Sequence, residues 1–254
     1  MSTRFVDKVI LITGATSGMG RAVAERVAAE GARVVLAARG KEAGETFAAD
    51  LRSAGRDAIF VPTDVTVAAE VEQLVRQAVE HYGRLDGAFN NVGAATAYGP
   101  VDEIDEDAWS ADLALNLNSV FFGLKYQIPA LRASGGGAIV NNASNLGVTG
   151  AAGMASYAAA KHGVVGLTRS AALDTAATGL RINALITGGV DTPLLRGAMG
   201  ANPEEAIRAA GAMHPVGRIA QAEEIAAFAA FLLSEEARFI TGAALAIDGG
   251  MTAA

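Results

Sequence analysis

Residues 9–20 of the chain read VILITGATSGMG. The first four are apolar, mostly β-branched, and predict a strand that is buried on both faces, as in a parallel sheet. Gly14, Gly18 and Gly20 follow, and an apolar-periodic segment then predicts a helix that ends at Gly31. Strand, glycine-rich turn and helix in this order are typical of the first βαβ unit of a dinucleotide-binding fold.

The three glycines have separate tasks in such a turn. Gly14 permits the tight turn, Gly18 lets the backbone approach a pyrophosphate, and Gly20 lets the helix pack against the strand. The pyrophosphate then sits at the positive N-terminus of the helix. A glycine-rich turn without a ligand is the alternative, and the flanking strand and helix favour the cofactor. The turn residues expected at the cofactor are Gly14, Thr16, Ser17, Gly18, Met19 and Gly20.

Strand and helix patterns alternate along the whole chain, without a linker, an internal repeat or a low-complexity tract. This alternation predicts an α/β fold, with one doubly wound parallel sheet in a single domain over residues 1–254. The segment 188–215 is longer than the other connections, which favours a substrate-binding loop over an ordinary surface excursion. Strands are expected at about 9–12, 33–38, 58–61, 85–89, 138–142, 181–186 and 243–247.

The composition excludes several classes of protein. Hydrophobic residues make up 51% of the 254 residues and charged residues 19%, so a large core is available and the chain is not disordered. The net charge of −7 argues against nucleic acid as a partner. The sequence has no cysteine, and its three histidines are scattered, so we expect no metal site. Neither a membrane-length apolar run nor a leader-like N-terminus is present, so we expect a cytoplasmic protein with no membrane contact.

The end of the second predicted strand bears on the choice of cofactor. About 20 residues beyond the glycines, NAD-binding folds carry an acid for the ribose 2′-hydroxyl. Ala38 and Arg39 stand at that place here. A guanidinium can pair with the 2′-phosphate of NADP, so NADP is favoured and NAD is the alternative. Arg39 could also be a solvated loop residue. Asp64, after the third strand, could accept a hydrogen bond from adenine or cap the next helix.

A second pattern lies at residues 156–161, which read SYAAAK. Tyr157 and Lys161 are one helical turn apart and share a face. A free phenol has a pKa of about 10, and an ammonium group one turn away is expected to lower it. Tyr157 could then exchange a proton with an alcohol oxygen near neutral pH. The accompanying hydride needs a cofactor, because no side chain supplies one. Since this spacing also occurs by chance in helices, the interpretation depends on the glycine turn upstream.

Polar residues also stand at or near two later strand ends. Asn91, Val92 and Gly93 follow the fourth strand, where small and amide residues suit a close approach to a ligand. Ser144 follows the fifth strand. Asn116 lies between helices predicted at about 106–113 and 119–133, in an apolar helical context where an unpaired amide is costly. We therefore expect Asn116 to interrupt the helix and hold a water.

With these residues in view, the chain resembles the short-chain dehydrogenase/reductase family over nearly its whole length. Ser144 precedes Tyr157 by thirteen positions (157 − 144), the interval usual in that family. The resemblance implies a Rossmann sheet of seven strands, a homotetramer or homodimer, and an oxidoreductase that interconverts a ketone or aldehyde and an alcohol with NADP(H). The matching motifs are Thr13-Gly14-x-x-x-Gly18-x-Gly20, Asp64, Asn90-Asn91-x-Gly93, Asn116, Ser144 and Tyr157-x-x-x-Lys161.

The resemblance also implies a role for each site residue. Tyr157 would be the general acid and base, and Lys161 would lower its pKa and hold the nicotinamide ribose. Ser144 would bind the substrate oxygen, and Asn116 would position a water between Lys161 and solvent. Thr192 would contact the nicotinamide carboxamide. The other implied cofactor contacts are Asp64, Val65, Asn91, Val92, Gly93, Thr187, Gly188 and Val190.

Three residues depart from the family pattern. Val92 replaces the usual alanine, Thr187 replaces the usual proline, and Ser17 stands where many NADP-dependent members carry a basic residue. An NAD-dependent alcohol dehydrogenase of the same family is therefore an alternative, and a non-catalytic dinucleotide-binding protein is a further one. The expected pocket is apolar and indicates an uncharged, fairly hydrophobic substrate; its lining is residues 94–98, Leu146, Ala151, Ala152, Met154, Leu194, Leu195 and Met199.

Overall fold

A computed structural model of the protein describes residues 3–198 and 202–253. A parallel sheet of seven strands runs through it in the order β3-β2-β1-β4-β5-β6-β9, and β7 pairs with β8 in a separate two-stranded ribbon. This is the doubly wound Rossmann arrangement that the sequence predicts. The strands are β1 (Val9–Thr13), β2 (Arg33–Ala38), β3 (Ala58–Pro62), β4 (Gly87–Asn90), β5 (Gly137–Asn142), β6 (Leu180–Thr187), β7 (Val190–Asp191), β8 (Ala220–Gln221) and β9 (Ala244–Ile247).

Helices cover both faces of the sheet. The helices that the sequence predicts begin close to the predicted places, since amphipathic spacing selects the helical face even where the end residues vary. The segment 188–215, for which a loop is expected, contains two further helices. The bounds are α1 (Gly18–Ala29), α2 (Lys41–Ser53), α3 (Ala68–Tyr82), α4 (Glu106–Leu113), α5 (Ser119–Ala133), α6 (Ala155–Thr175), α7 (Pro193–Ala198), α8 (Pro203–Ala212) and α9 (Ala222–Leu233). Among the described residues, none of these helices combines the length and apolarity needed to span a bilayer.

The core consists of two apolar layers, one on each face of the sheet. Every residue of β1 is buried, because Ile10 and Ile12 pack into the layer under α1 and α9 while Val9 and Leu11 pack into the other. Central strands of a parallel sheet therefore read as continuous apolar runs rather than as alternating ones. This burial fixes the strand ends that carry the polar residues of the site.

The connection between α4 and α5 is a π-helix. It spans Ala114–Asn118, so the predicted interruption at Asn116 is a widened turn inside one continuous helical rod. The Asn116 amide donates to the carbonyl oxygens of Ala94 (2.8 Å) and Asp112 (3.0 Å), and its oxygen accepts from the Ala94 N–H (3.0 Å). The π-turn thus turns Asn116 towards the loop that follows β4.

Candidate active site

A cavity of about 590 Å³ opens at the carboxyl edge of the sheet, beside the ends of β1, β2 and β4. The strand order reverses there, since β2 and β4 flank β1 on opposite sides. Open α/β sheets bind their ligands at such a switch point. Twelve of the residues predicted to contact the cofactor line it: Gly14, Thr16, Ser17, Gly18, Met19, Arg39, Asp64, Val65, Asn91, Val92, Gly93 and Thr192.

The glycine turn is closely packed. Gly14 has a φ of +63°, and a Cβ on Gly20 would lie 2.2 Å from the Gly14 carbonyl oxygen, so neither position tolerates a larger residue without a shift. A Cβ on Gly18 would lie 2.9 Å from the Thr192 Cγ2 atom. The lack of a side chain at Gly18 therefore lets Thr192, which is distant in sequence, pack against the N-terminus of α1. A cofactor that contacts both Thr192 and this N-terminus would require such an arrangement.

The far end of the cavity holds Arg39 and Asp64. Arg39 is exposed and follows the last residue of β2, Ala38, which also lines the cavity. The Asp64 carboxylate accepts hydrogen bonds from the Thr66 N–H (2.9 Å) and hydroxyl (2.7 Å). These bonds, and to a smaller extent the charge of Arg39, lower the pKa of Asp64. Asp64 thus stays ionised and caps the turn that precedes α3.

Lys161 is buried behind the middle of the cavity. It is 1% exposed, its Nζ donates to the Asn142 carbonyl oxygen (2.9 Å), and the same Nζ lies 5.5 Å from the centre of the Tyr157 ring. A Cβ on Gly93 would lie 2.8 Å from this Nζ, so the absence of a side chain at Gly93 gives the ammonium its place. Since Gly93 lines the cavity, Lys161 stands immediately behind the cavity wall.

The pKa values of Tyr157 and Lys161 differ from the expectation. Burial lowers the pKa of Lys161 to about 8. Burial also raises the pKa of Tyr157 to about 12; the Ser144 hydroxyl acts against this rise, and Tyr98 and Asp112 add to it. The net shift of the Tyr157 pKa is therefore upward, whereas a lowered value is expected from the sequence. Desolvation of the phenol is the largest cause of this rise, and the Lys161 Nζ is engaged with the backbone of β5.

Ser144 stands between β5 and the short 3₁₀ turn that follows it. Its Oγ accepts from the Leu146 N–H (3.2 Å) and donates to Asn145 Oδ1 (3.0 Å), so the rotamer is fixed by its neighbours. The Ser144 hydroxyl is close enough to the Tyr157 phenol to act against the rise of its pKa, so the two predicted residues meet at one place. An alcohol oxygen beside both hydroxyls would therefore find one hydrogen-bond partner and one proton donor or acceptor.

The remaining predicted cofactor residues do not line the cavity of the described structure. Thr187 donates to Asn142 Oδ1 (3.3 Å), and a Cβ on Gly188 would meet His214 Nε2 at 2.8 Å. Val190 lies in β7, which immediately precedes α7; α7 and α8 are the helices of the predicted substrate loop. Leu194 of α7 lines the cavity, whereas the predicted lining residue Met199 falls outside the described residues.

The buried residue that sequence reasoning missed is Asp112. It is 0% exposed and bonds to Thr96, Ala97 and Ser156, which places it beside the loop after β4 and beside Tyr157. An acid one turn before Asn116, on the face that carries Asn116, was the available signal. Among the described residues, no group of three or more metal-ligating side chains occurs.

Comparison with known proteins identifies the class. The family profile described as "Enoyl-(Acyl carrier protein) reductase" matches residues 14–252. Relatives that cover nearly the whole chain are the levodione reductase of Leifsonia aquatica (40% identical, 100% of this chain and 97% of the relative), the cyclohexanol dehydrogenase of Acinetobacter sp. strain SE19 (40%, 99% and 98%) and the cis-4-hydroxycyclohexanecarboxylate dehydrogenase of Sinomonas cyclohexanicum (42%, 100% and 100%). The chain belongs to the short-chain dehydrogenase/reductase family.

Solved structures of this short-chain dehydrogenase/reductase family confirm the fold. The crystal structure of levodione reductase superposes with a TM-score of 0.95 at 39% identity, covering 99% of this chain and 100% of the other. A polyketide ketoreductase crystallised with NADPH gives a TM-score of 0.90 at 38% identity, with 99% of each chain covered. The predicted reaction class is confirmed as well: the protein is an oxidoreductase of the alcohol/carbonyl couple.

Proposed function

We propose that this protein interconverts a small, largely apolar cyclic ketone and its secondary alcohol, with NADP(H) as cofactor and Tyr157 as the general acid and base. The observation that carries the proposal is the position of Gly93. It lines the cavity of the glycine turn and at the same time makes room for Lys161, so the cofactor site and the Tyr157–Lys161 pair share one wall.

The residues present fit a dinucleotide. The glycine turn at the start of α1 would hold the pyrophosphate, Asp64 the adenine, and Lys161 and Thr192 the nicotinamide half. The nicotinamide supplies or accepts the hydride, which no side chain can do. Tyr157 would donate its phenolic proton to the carbonyl oxygen during reduction and take it back during oxidation. The Ser144 hydroxyl would redirect its proton from Asn145 Oδ1 to the same oxygen and stabilise the charge that develops on it.

Arg39 supports NADP over NAD. Its guanidinium stands at the end of β2, where the ribose 2′ position of a dinucleotide lies. The described residues at that end of the cavity include one carboxylate, Asp64, which Thr66 already engages. The similarity to a ketoreductase crystallised with NADPH agrees with this choice. NAD remains the competing cofactor, because Ser17 supplies no second positive charge.

The walls of the cavity and the relatives support the substrate class. Ala94, Ala111, Leu115 and Leu194 form an apolar wall near the nicotinamide end. Two of the relatives described above carry a cyclohexane ring in the names of their substrates. An uncharged six-membered ring fits such a wall, since apolar contacts reward shape without requiring a charge partner.

We also propose that the chain acts as one domain, in the cytoplasm, and as a homotetramer or homodimer. Large apolar side chains on the surface support the oligomer: Leu173 is 82% exposed in the isolated protomer and Phe239 is fully exposed. Light scattering coupled to size-exclusion chromatography measures the mass directly. A monomer at micromolar concentration would contradict this part of the proposal.

Turnover followed at the reduced-nicotinamide absorbance band tests the reaction. Cyclohexanone and cyclohexanol would be compared with open-chain ketones and with an unsaturated thioester, each with NADPH or NADP⁺ and with NADH or NAD⁺. We expect Tyr157→Phe to lower kcat by about 10²- to 10⁴-fold, whereas Tyr126→Phe on α5 should be neutral. Full turnover by Tyr157→Phe, or turnover of the thioester and of no ketone, would refute the assignment.

The cofactor arm uses Arg39→Ser. Loss of a charge-assisted hydrogen bond, about 1.5–3 kcal/mol, should weaken NADPH binding by about 10- to 100-fold and leave NADH binding unchanged. Arg76→Ser, at an exposed arginine of α3, is the control for loss of one positive charge. Wild-type protein that binds NADH more tightly than NADPH would overturn the NADP assignment.

A further inference from the structure

Asp112 of α4 is a carboxylate with no exposed surface. Its Oδ1 accepts from the Thr96 N–H (3.0 Å) and from the Thr96 hydroxyl, and its Oδ2 accepts from the Ser156 hydroxyl (2.6 Å) and from the Ala97 N–H (3.4 Å). Four neutral donors therefore replace its water shell. Among the described residues, no lysine, arginine or histidine forms a salt bridge with it.

A buried charge of this kind is costly unless each lone pair is satisfied, and all four donors come from segments that the site needs. Thr96 lines the cavity, in the irregular loop that follows β4. Ser156 immediately precedes Tyr157 in the first turn of α6. Asp112 is thus the point where the cavity wall and the helix that carries the proposed acid meet.

Asn116 holds the same loop one turn further along. Its two bonds to Ala94 and its bond to the Asp112 carbonyl oxygen pair the two residues on one face of the α4 and π-helix rod. Asn116 fixes the part of the loop next to Gly93, and Asp112 fixes the part that leads to Tyr98. Asp112, unlike Asn116, also bonds to the first turn of α6.

We propose that Asp112 is a positioning residue, whose carboxylate clamps Thr96 of the cavity wall and its neighbour Ala97 to the first turn of α6 and so sets the distance between bound substrate and the Tyr157 phenol. The clamp rests on the proposed function in one respect, since Tyr157 must be the proton donor for the distance to matter. Its geometric part can be tested without turnover.

The charge of Asp112 provides a readout that a purely structural role would not move. The groups that act on the Tyr157 phenol are Ser144, Tyr98 and Asp112, with the Lys161 ammonium beside the ring. Asp112 raises the pKa of the phenol, so its neutralisation should lower that pKa. Oxidation consumes the phenolate, and its pH–rate profile should therefore move to lower pH in Asp112→Asn.

Two variants separate charge from clamp. Asp112→Asn keeps one acceptor for Thr96 but presents an amide N–H₂ to the Ala97 N–H, and Asp112→Leu removes all four acceptors at similar volume. We expect kcat/KM for the cyclic substrate to fall by about 10-fold in the first and about 100-fold in the second, because displacements of about 1 Å have such effects. Asp107→Asn, which neutralises an exposed acid of the same helix, is the matched control and should behave as wild type.

Hydrogen exchange decides the clamp independently of activity. In wild type and Asp107→Asn the amides of Thr96 and Ala97 should be protected, and in Asp112→Leu they should exchange at least about 10-fold faster. If Asp112→Leu does not fold, Ser156→Ala, which removes one donor from the α6 side, should show the same changes at smaller size. Inactive wild-type protein would refute the proposed function and leave the exchange result to decide the clamp.

Unchanged exchange at Thr96 and Ala97 in the folded variants would overturn the clamp. So would variants that melt at lower temperature but retain wild-type kcat/KM and an unshifted pH–rate profile, since Asp112 would then contribute to stability alone. Supporting results are faster exchange, a kcat loss greater than the KM change, and a profile displaced to lower pH in Asp112→Asn.

Discussion

Gly93→Ala is the sharpest perturbation of the shared wall between cavity and lysine. The new Cβ would lie 2.8 Å from Lys161 Nζ and 2.8 Å from Asn116 Oδ1, in a place where ordinary contacts begin at 3.4 Å. Both groups, or the backbone of residue 93, must therefore move by about 0.6 Å, the difference between 3.4 and 2.8 Å. The lysine is 1% exposed and the asparagine 0%, so neither can turn out to solvent.

The movement has a cost in rate and a smaller cost in stability. The ammonium would shift relative to the Asn142 carbonyl oxygen, which it now meets at 2.9 Å. The hydrogen bond from the Ala94 N–H to Asn116 Oδ1 would lengthen. Misplacement on this scale costs about 100-fold in rate, or about 2.7 kcal/mol of transition-state stabilisation. Overpacking of a buried site costs about 1–3 kcal/mol of folding stability.

The assay is steady-state turnover of the best cyclic ketone, with thermal unfolding measured in parallel. Gly166→Ala on α6 is the control, because a Cβ there meets nothing within 4 Å and the substitution should slightly stabilise the helix. We expect Gly93→Ala to lose kcat/KM about 100-fold while most of the protein remains folded at 25 °C. Wild-type kcat/KM in a folded Gly93→Ala protein would show that Lys161 and Asn116 need not stay where the structure has them.

Three further substitutions test the surroundings of the site. Lys161→Met should abolish turnover yet raise the free energy of unfolding at pH 7 by about 2 kcal/mol. Removing the buried ammonium should gain about 3 kcal/mol, as follows from its pKa shift, and losing its hydrogen bond should cost about 1 kcal/mol. The folded pKa of about 8 lies below the ordinary 10.5, so this gain should vanish as pH rises through that window in urea titrations. Asp86→Asn should lower the free energy of unfolding by about 2 kcal/mol at pH 7. Burial alone would raise the pKa of Asp86, but hydrogen bonds from Arg84 and the Val9 N–H lower it. The difference in stability between Asp86→Asn and wild type should therefore disappear as the pH falls below the ordinary 3.8. Asp191→Asn breaks the bidentate pair with Arg196 at the start of α7 and should raise KM by about threefold with little effect on melting temperature.

The sheet and the glycine turn could be predicted because local patterns determine them. The apolar run of β1 has to be buried on both faces, and Gly14 and Gly20 meet backbone that excludes a Cβ. The predicted strands differ from the structure by one or two residues at their ends, as at β4, which begins at Gly87 rather than Leu85. Such differences arise because strand pairing across the sheet, and not propensity, determines where a ladder ends.

The electrostatics of the site could not be predicted from spacing. A spacing of four places Tyr157 and Lys161 on one helical face. The Lys161 Nζ, however, is engaged by the carbonyl oxygen of Asn142, which lies on β5 fifteen positions before Tyr157 (157 − 142). Likewise, the sequence shows an acid at 112 but not that Thr96, Ala97 and Ser156 surround it. Long-range packing therefore determines which neighbour each polar group meets, and that neighbour sets its charge state.

The protonation state of Tyr157 bears on how each direction of the reaction begins. With a Tyr157 pKa of about 12, the phenol is protonated at neutral pH, which is the form that reduction of a ketone consumes. Proton donation to a developing alkoxide is still favourable at this pKa, because alkoxides are far stronger bases than phenolates. Oxidation consumes the phenolate instead, so it needs additional positive charge beside Tyr157. The buried Lys161, with a pKa of about 8, is only partly able to supply it above neutral pH. The protonated phenol is therefore the form in which Tyr157 can donate a proton for reduction, and an oxidised, positively charged nicotinamide beside it would favour the phenolate that oxidation needs.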